Sequence, residues 1–422
     1  MIDRSAPLPL RDFDNLEIPV PDEVTLSNGI RVVSLDMGDQ PVVRLVFRFP
    51  GGLGDYRCPE TLALAYQLLG EGSVGIDGSE ISEIFEFNGA WFASEVSSHA
   101  GSVSLSVMTP RFKNVFPTLL DIITRPNPNA KIVRSVAEKL AATERLKMKK
   151  MTYLAEGLDA RRMFGINHPL ARQFNPERFA EICKEEVNDA LSRTLLASAP
   201  TVYVAGNVAP IFDCLCRSLE KLTFSGTPVK IEIHPFEADA AGIQRIVVDD
   251  VLQSAVKMSL PAIGRSHPDY IPLRLAVMAL GGYFGSRLMQ NIREDKGLTY
   301  GISAHLLGYR EGGVVSIDAQ TDNRYVDAVI DETRIEIKRM AEQSLTGELT
   351  SLKRHALSEL ATILDTPFSI MEHYISLEAN NAPKDYFKRQ VKTIQQLDAD
   401  TLLYISRRHL DSSALRVSVA GA

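Results

Sequence analysis

Arg293 and Tyr300 lie seven residues apart in the stretch IREDKGLTYGIS, on either side of a Lys-Gly pair. A guanidinium group presents several fixed N–H donors, and a phenol presents one O–H donor. Together, such donors can hold the carbonyl groups of a peptide or stabilise the negative charge of a tetrahedral intermediate. The two side chains are therefore candidates for binding a peptide substrate.

The local sequence predicts elements that bring these two side chains together. The run SRLMQNIREDKG indicates a helix that ends at Gly297, because glycine suits the left-handed position after a helix C-terminus, and LTYGIS then begins a strand. Arg293 lies in the last turns of the helix and Tyr300 lies on the returning strand, so their side chains can converge. The alternative is structural: the arginine faces solvent and caps its helix, while the tyrosine fills the sheet.

Other patterns in the sequence offer less chemistry. The glycines of GGYFGS lack the preceding strand and the following Lys-Ser/Thr of a phosphate-binding loop, so they predict a tight approach between helix and sheet. No histidine pairs with another at i, i+3 or i, i+4 spacing, and His355 with Glu359 is an isolated combination. No Ser-His-Asp or Cys-His arrangement is apparent from the spacing. The histidines are therefore expected to be structural.

The composition excludes several classes of protein. With 422 residues and 45% hydrophobic content, the chain is long enough for two or three globular domains. A net charge of −7 offers no basic surface for nucleic acid, and the one basic run, RLKMKK, is expected to be a solvated helix face. No stretch approaches the roughly 18 apolar residues of a membrane span. The N-terminal run MIDRSAPLPLRDFDNL resembles no export or organelle signal, which predicts a cytoplasmic protein with reduced cysteines.

Internal similarity divides the chain into two halves. The strand-like run NGIRVVSL (28–35) has a counterpart in GIQRIVVDD (242–250), and TVYVAGN (201–207) has one in LRVSVAGA (415–422). Each pair is separated by about half the chain. Between the halves, SGTPVKIEIHPFEADAAG interrupts the hydrophobic periodicity with two prolines and small polar residues. We therefore predict an N-terminal domain over residues 1–225, a linker over 226–242 and a C-terminal domain over 243–422.

Each half contains strands followed by a helix. SVSLSV alternates apolar and polar residues as a half-buried strand does, and a helix with an apolar face follows from Pro110. In the second half, two strand-like runs precede a helix with a stripe that includes Val326, Val329 and Ile330. The expected fold class is α+β, with two homologous domains. Each is a mostly antiparallel sheet covered by helices on one face.

The sequence resembles the pitrilysin-type zinc peptidases, in particular the half-length members typified by mitochondrial processing peptidase and its bacterial relatives. The resemblance covers nearly the whole chain and is most specific in GGYFGSRLMQNIREDKGLTYGISA. In that family, an arginine and a tyrosine at this spacing in the second half bind substrate opposite the zinc. Arg293 and Tyr300 match these two residues, so the resemblance implies a substrate-binding role for both.

The first half departs from the pattern of the active family members. Their first-half helix carries His-x-x-Glu-His, in which two imidazoles bind zinc and the glutamate activates water. Aligned on ETLALAYQLLGEGS, those positions hold Ala63, Tyr66 and Gln67, which cannot bind zinc. Glu144 lies where the family's third ligand is expected, but one carboxylate makes no site, and the alternative is an ordinary helix residue. We expect no metal in this chain.

Half-length members commonly occur as pairs in which one subunit carries the zinc motif and the other carries the Arg/Tyr pair. The resemblance therefore implies a zinc-free, non-catalytic subunit of a heterodimeric zinc metalloendopeptidase, with no peptidase activity alone. Its partners would be a half-length sister subunit that carries His-x-x-Glu-His and zinc, and a peptide substrate. The alternative is a structural or peptide-binding protein that self-associates as a homodimer and has no catalytic partner, as family-derived core subunits of respiratory complexes illustrate.

Overall fold

The computed structural model describes residues 16–421. Within that range, the strands of the first half are β1 (Asp22–Thr25), β2 (Arg31–Asp36), β3 (Val42–Pro50), β4 (Gly72–Ser73), β5 (Ile76–Asp77), β6 (Trp91–Val96), β7 (Ala100–Met108) and β8 (Thr201–Gly206). The helices are α1 (Pro59–Gln67), α2 (Gly78–Phe87), α3 (Phe112–Thr124), α4 (Ala130–Lys147), α5 (Met151–Phe164), α6 (Pro176–Glu181), α7 (Lys184–Leu195) and α8 (Phe212–Leu219). The N-terminal run behind the cytoplasmic prediction lies, up to residue 15, outside the described residues.

The second half contains the remaining elements. Its strands are β9 (Gly242–Val247), β10 (Gln253–Ala262), β11 (Thr299–Gly308), β12 (Gly313–Asp322) and β13 (Arg416–Gly421). Its helices are α9 (Tyr270–Val277), α10 (Val326–Glu342), α11 (Leu349–Ile363), α12 (Pro367–Ala379), α13 (Tyr386–Gln396) and α14 (Ala399–His409). Two short π-helical segments, Met278–Gly282 and Met289–Asp295, lie between α9 and β11.

The strands form two large sheets with matching topology. The first sheet has the order β1-β2-β8-β3-β7-β6, and the second has the order β9-β13-β10-β12-β11. In each sheet one pair is parallel, β2 with β8 and β9 with β13, and the other pairs are antiparallel. The α+β fold class predicted from the sequence is confirmed. Strand β1 has no counterpart in the second sheet as described.

Both faces of the first sheet carry apolar side chains. Along β8, Val202 and Val204 belong to the large core of the first half, whereas Tyr203 and Ala205 belong to a separate apolar cluster. Successive side chains of a strand point to opposite faces, so this second cluster lies on the other side of the sheet. A sheet that is apolar on both faces must be covered on both.

Helix α12 of the second half supplies the second cover. Its Ile370, Met371 and Ile375 pack in the cluster on the far face of the first sheet. The Tyr203 hydroxyl donates a hydrogen bond of 2.8 Å to Glu378 at the end of the same helix. The second half therefore contributes to the core of the first.

Helix α5 of the first half does the same for the second sheet, because it packs against β10 and β13. Ala155 packs in one apolar cluster with Ala255 and Ala420, and the buried carboxylate of Asp159 accepts a 2.6 Å hydrogen bond from the Ser259 hydroxyl. The sequence predicted helices on one face of each sheet. The structure adds one helix, from the other half, on the opposite face.

Arg162, near the end of α5, fixes the connection between the halves. Its buried guanidinium donates to the Asp239 carboxylate (2.9 Å) and to the backbone oxygens of Ala240 (3.0 Å), Gly242 (3.0 Å) and Val417 (2.7 Å). A buried cation is tolerated when its donors are satisfied in this way. The halves are therefore joined by polar contacts as well as by exchanged helices. None of the helices in residues 16–421 combines the length and apolar content needed to cross a bilayer.

Candidate functional site

Arg293 lies on the π-helical segment Met289–Asp295. Its guanidinium carbon is 5.3 Å from the centre of the Phe284 ring, and its Nε is 3.5 Å from a carboxylate oxygen of Glu294. A cation over an aromatic face is attracted by the ring quadrupole. Phe284 therefore restricts the orientation of the Arg293 side chain, which remains partly exposed.

The backbone around Arg293 forms a wider turn than the ordinary helix predicted from the sequence. The Lys296 amide bonds to the Asn291 oxygen (3.2 Å), a five-residue step, and Gly297 follows with φ of +62°. Gly297 thus occupies the left-handed position that the sequence predicted. Asn291 anchors this turn to α10, because its side-chain amide donates to Glu336 (2.7 Å) and Glu332 (3.1 Å).

Tyr300 lies at the start of β11, the edge strand of the second sheet, and its side chain is 90% exposed. The pairing of β11 with β12 is irregular here, because Thr299 pairs with Thr321 but the next pair is Ile302 with Ala319. Two residues of β11 therefore face one residue of β12, which is a β-bulge. The structural alternative, in which the tyrosine fills the sheet, does not describe this exposed side chain.

Arg293 and Tyr300 line the same cleft, which has a volume of about 530 Å³. Gln253 and Gln320 lie on its walls. A second cleft of about 630 Å³, lined by residues of α5 and of the second sheet, shares Gln253, Tyr300 and Gln320 with the first. The structure thus brings the two side chains to one concave surface, where both present donor groups.

The glycines that precede Arg293 are explained by packing. A methyl group at Gly281 would come within 2.6 Å of the Ala304 side chain on β11. This contact confirms the tight approach between helix and sheet that the sequence predicted. Such a close approach leaves no room for a ligand at that glycine.

Helix α1, which the sequence alignment equates with the family's zinc helix, packs as a core element. Ala63 is half-buried, Gln67 is exposed and Tyr66 is fully buried. The Tyr66 ring packs over Gly101 of β7, and burial raises the pKa of its hydroxyl. An alanine methyl, a buried neutral phenol and an exposed amide do not form a zinc site, so these residues do not fit the metal.

Glu144, at the end of α4, uses its carboxylate within the chain. The side chain is 3% exposed; one oxygen accepts from the Tyr153 hydroxyl, and the other lies 3.2 Å from Lys147 Nζ. Burial and the neighbouring Glu144 raise the pKa of Tyr153, so its hydroxyl keeps its proton. Among residues 16–421, no group of three or more His, Cys, Asp or Glu side chains is arranged to hold a metal ion.

Residues 161–357 match the family model described as "Peptidase M16 inactive domain". The chain is a homologue of the M16, or pitrilysin-type, peptidases. This M16 homologue is 23% identical over 263 residues to the "Non-peptidase homolog YmxG" of Helicobacter pylori. The alignment covers 62% of this chain and 60% of that protein. The alignments with curated relatives span between 21% and 60% of those relatives' lengths.

Two solved structures share the fold over nearly the whole chain. The peptidase M16 inactive domain of Pseudomonas fluorescens matches with a TM-score of 0.86 at 20% identity, covering 95% of this chain and 98% of that one. A protease from Helicobacter pylori matches with a TM-score of 0.85 at 15% identity, covering 96% and 100%. At such identities the similarity establishes the fold of the M16 homologue.

Three residues around the site were missed by sequence reasoning. Phe284, Asn291 and Thr299 contact or shape the two candidate residues, yet none has a side chain that predicts chemistry by itself. A phenylalanine in a glycine-rich loop was a signal for Phe284. Nothing in the sequence pattern distinguishes Asn291 or Thr299, because their importance lies in hydrogen bonds to distant elements.

Proposed function

We propose that this M16 homologue is the zinc-free, non-catalytic subunit of a heterodimeric pitrilysin-type peptidase. The observation that carries the proposal is the contrast between the two halves. Arg293 and Tyr300 line one cleft, whereas the first-half helix has a buried tyrosine in place of the carboxylate that would activate water. On this proposal the chain supplies donors for the substrate, and the sister subunit hydrolyses it.

In this proposal the two side chains bind the peptide from the second half of the chamber. The Arg293 guanidinium donates to a carbonyl oxygen of the substrate and opposes negative charge that develops during cleavage. The Tyr300 hydroxyl supplies a further donor from the edge of the sheet. Both groups act on the substrate only when a second subunit presents the hydrolytic machinery across the cleft.

The partner that fits is a half-length sister subunit of the same fold that carries His-x-x-Glu-His. That subunit would hold the zinc, and this chain would hold no cofactor. Without the sister, this chain would pair with a second copy of itself as a homodimer. The cytoplasmic location predicted from the sequence belongs to the proposal, and cell fractionation with antibody detection would test it.

Reconstitution tests the proposal. A half-length chain with His-x-x-Glu-His, sought first in the genes beside this one, would be purified alone and together with this chain. We expect a one-to-one complex by light scattering, one zinc per pair, and cleavage of a quenched fluorescent peptide library by the pair only. About one zinc retained by this chain alone, together with peptide cleavage, would contradict the proposal.

The remaining candidate is a self-associating structural or peptide-binding protein with no catalytic partner. The same experiment separates it from the heterodimeric peptidase. In that case the sister-like chain would not bind this one, or the complex would form and cleave peptides no faster than the sister alone. A peptide retained on this chain without cleavage would favour the peptide-binding form.

A further inference from the structure

The bulge at the start of β11 determines which way Tyr300 points. Ile302 and Ala304 face the core of the second half, and both are buried. Because side chains alternate along a strand, the residue two positions before Ile302 would also face the core in a regular strand. That residue is Tyr300, which is instead 90% exposed. The bulge is therefore the feature that moves the phenol out of the core and into the cleft.

A single side chain holds the bulge in place. The Thr299 hydroxyl lies 2.6 Å from the Gln320 carbonyl oxygen and 2.9 Å from the Gly301 carbonyl oxygen, and it accepts a 3.1 Å hydrogen bond from the Gly301 amide. The hydroxyl therefore contacts backbone groups on both sides of the bulge, one on β12 and two within β11. Thr299 itself is 8% exposed, so water cannot readily replace its hydroxyl. Removing the oxygen would remove every one of these hydrogen bonds from the bulge.

The residue after Tyr300 leaves the bulge open to the cleft. Gly301 is exposed, and a methyl group placed on it would meet no atom within 4 Å. The glycine is therefore not required there by packing. Bulges beside binding sites commonly serve to redirect a side chain, and this one has both the redirected phenol and free space next to it.

We propose that Thr299 is a positioning residue that aims Tyr300 into the cleft through its hydrogen bonds across the bulge. The role of Tyr300 toward substrate rests on the proposed function, whereas the direction of its side chain does not. Thr299 touches no substrate atom in this account. Its hydroxyl stabilises the bulged register, and the bulged register presents the phenol.

Thr299→Val tests this role, because valine has nearly the same shape and lacks the oxygen. Thr299→Ser keeps the oxygen and should rescue the effect. Thr333→Val is the matched control, since Thr333 is a fully buried threonine whose hydroxyl donates a 2.7 Å hydrogen bond to the Val329 oxygen within α10 and none to the bulge. If Thr299→Val does not fold, Thr299→Ala removes the same oxygen without adding a methyl group.

The first measurement is fluorine NMR of the chain labelled with 3-fluorotyrosine, with the Tyr300 signal assigned by its loss in Tyr300→Phe. An exposed ring shows a solvent isotope shift between H2O and D2O, and a buried ring does not. We expect Thr299→Val to move the Tyr300 signal and to reduce this shift at least twofold, while Thr299→Ser and Thr333→Val leave both unchanged. An unchanged Tyr300 signal in Thr299→Val would overturn the inference, whether or not a sister subunit exists.

The second measurement is turnover by the reconstituted pair. Thr299→Val should lower kcat about tenfold or more with a smaller change in KM, because a misdirected phenol is missed most in the transition state. Thr299→Ser should restore the rate, and Thr333→Val should not lower it. If the Tyr300 signal moves but the rate of the pair stays at the parent value, the positioning role of Thr299 stands and the proposed function fails. If Thr299→Ser lowers the rate as much as Thr299→Val, the hydroxyl is not what positions Tyr300 and the inference is overturned.

Discussion

The phenol ring of Tyr66 lies directly over the α-carbon of Gly101, so close that a methyl group at position 101 would come within 1.8 Å of the phenol oxygen. By the resemblance to pitrilysin-type peptidases, Tyr66 stands at the helix position where active members carry the carboxylate that activates water. In this chain that position has become part of the core, because the ring fills the space that the glycine leaves open. The loss of the zinc motif is thus accompanied by a specific packing contact.

Gly101→Ala should be strongly destabilising, because the new methyl group cannot coexist with the Tyr66 ring in its present place. Tyr66→Ala alone should cost about 3–5 kcal/mol, as expected for removing a buried aromatic side chain. In the double variant the methyl group has space. The double variant should therefore lose less free energy of unfolding than the two single variants lose together. The difference should be on the order of 1 kcal/mol, as for other residues in contact. Urea unfolding of the four proteins measures the coupling. If the losses of free energy in the two single variants sum to the loss in the double variant, the Tyr66 ring makes room for the methyl group and the contact is not restrictive.

Restoring the zinc motif should give weak binding and little activity. The variant Ala63→His, Tyr66→Glu, Gln67→His places a carboxylate where a ring is buried against Gly101, which leaves a cavity and a charge without partners. We expect reduced stability and less than one zinc per chain after dialysis against a weak chelator. Gln67→His alone, at an exposed position, is the control and should be neutral. Rapid peptide cleavage by the triple variant alone would contradict the account.

Asp159 should make the stability of the fold depend on pH. Burial raises the pKa of this carboxyl group to about 6, although hydrogen bonds from Ser259 and the charge of Lys257 oppose the shift. Because the unfolded carboxyl group has an ordinary pKa near 3.9, the folded chain binds more protons between about pH 4 and pH 6. Stability therefore falls as the pH rises through this window, by about 3 kcal/mol in total.

Asp159→Asn should remove that dependence. The amide keeps an acceptor for the Ser259 hydroxyl but carries no charge, so the variant should be about 2 kcal/mol more stable than the parent at pH 8 and similar to it at pH 4. Asp189→Asn, at an exposed position, serves as the control and should change little at either pH. Unfolding midpoints measured from pH 4 to pH 8 decide the matter. If the unfolding midpoint changes with pH equally in the parent and in Asp159→Asn, the Asp159 carboxyl group is not the source of the pH dependence.

The sequence predicts the repeated pattern of strands and helices because periodicity is local. Alternating residues predict each strand, and the glycine at 297 marks the end of the turn that carries Arg293. The resemblance to pitrilysin-type peptidases then places Arg293 and Tyr300 in one motif. These features need only short stretches of chain, so the fold class and the candidate pair were accessible without coordinates.

The features that shape the site depend on contacts distant in sequence. Arg162 binds backbone oxygens near residues 240 and 417, and helix α12 covers a sheet of the other half. The bulge at Thr299 was also hidden, because the residue pattern of LTYGIS fits a regular strand and does not specify register. Only the pairing with β12 shows that Tyr300 points outward rather than into the core.

Arg293 should contribute through its donor geometry as well as through its charge. In a reconstituted pair, Arg293→Ala should lower kcat/KM by about 100-fold, and Arg293→Lys should restore only part of it, because an ammonium group lacks the planar fork of donors. Phe284→Leu should lower kcat/KM by a smaller factor than Arg293→Ala does, because the ring lies 5.3 Å from the guanidinium carbon and restricts its orientation. Steady-state kinetics on complexes of verified stoichiometry would measure these effects. A fully active Arg293→Ala complex would exclude a role in substrate binding.

The turnover of a reconstituted pair that contains Tyr300→Phe tests the central claim most directly, because this change removes one hydroxyl from a side chain that is 90% exposed and so leaves packing intact. Tyr404→Phe, at an exposed tyrosine of α14, is the matched control. If Tyr300 donates to charge that develops on the substrate, kcat should fall on the order of 100-fold, or about 3 kcal/mol, while the complex and its zinc content stay unchanged. Parent kinetics from the Tyr300→Phe pair would contradict the account and would favour a scaffold without a part in catalysis.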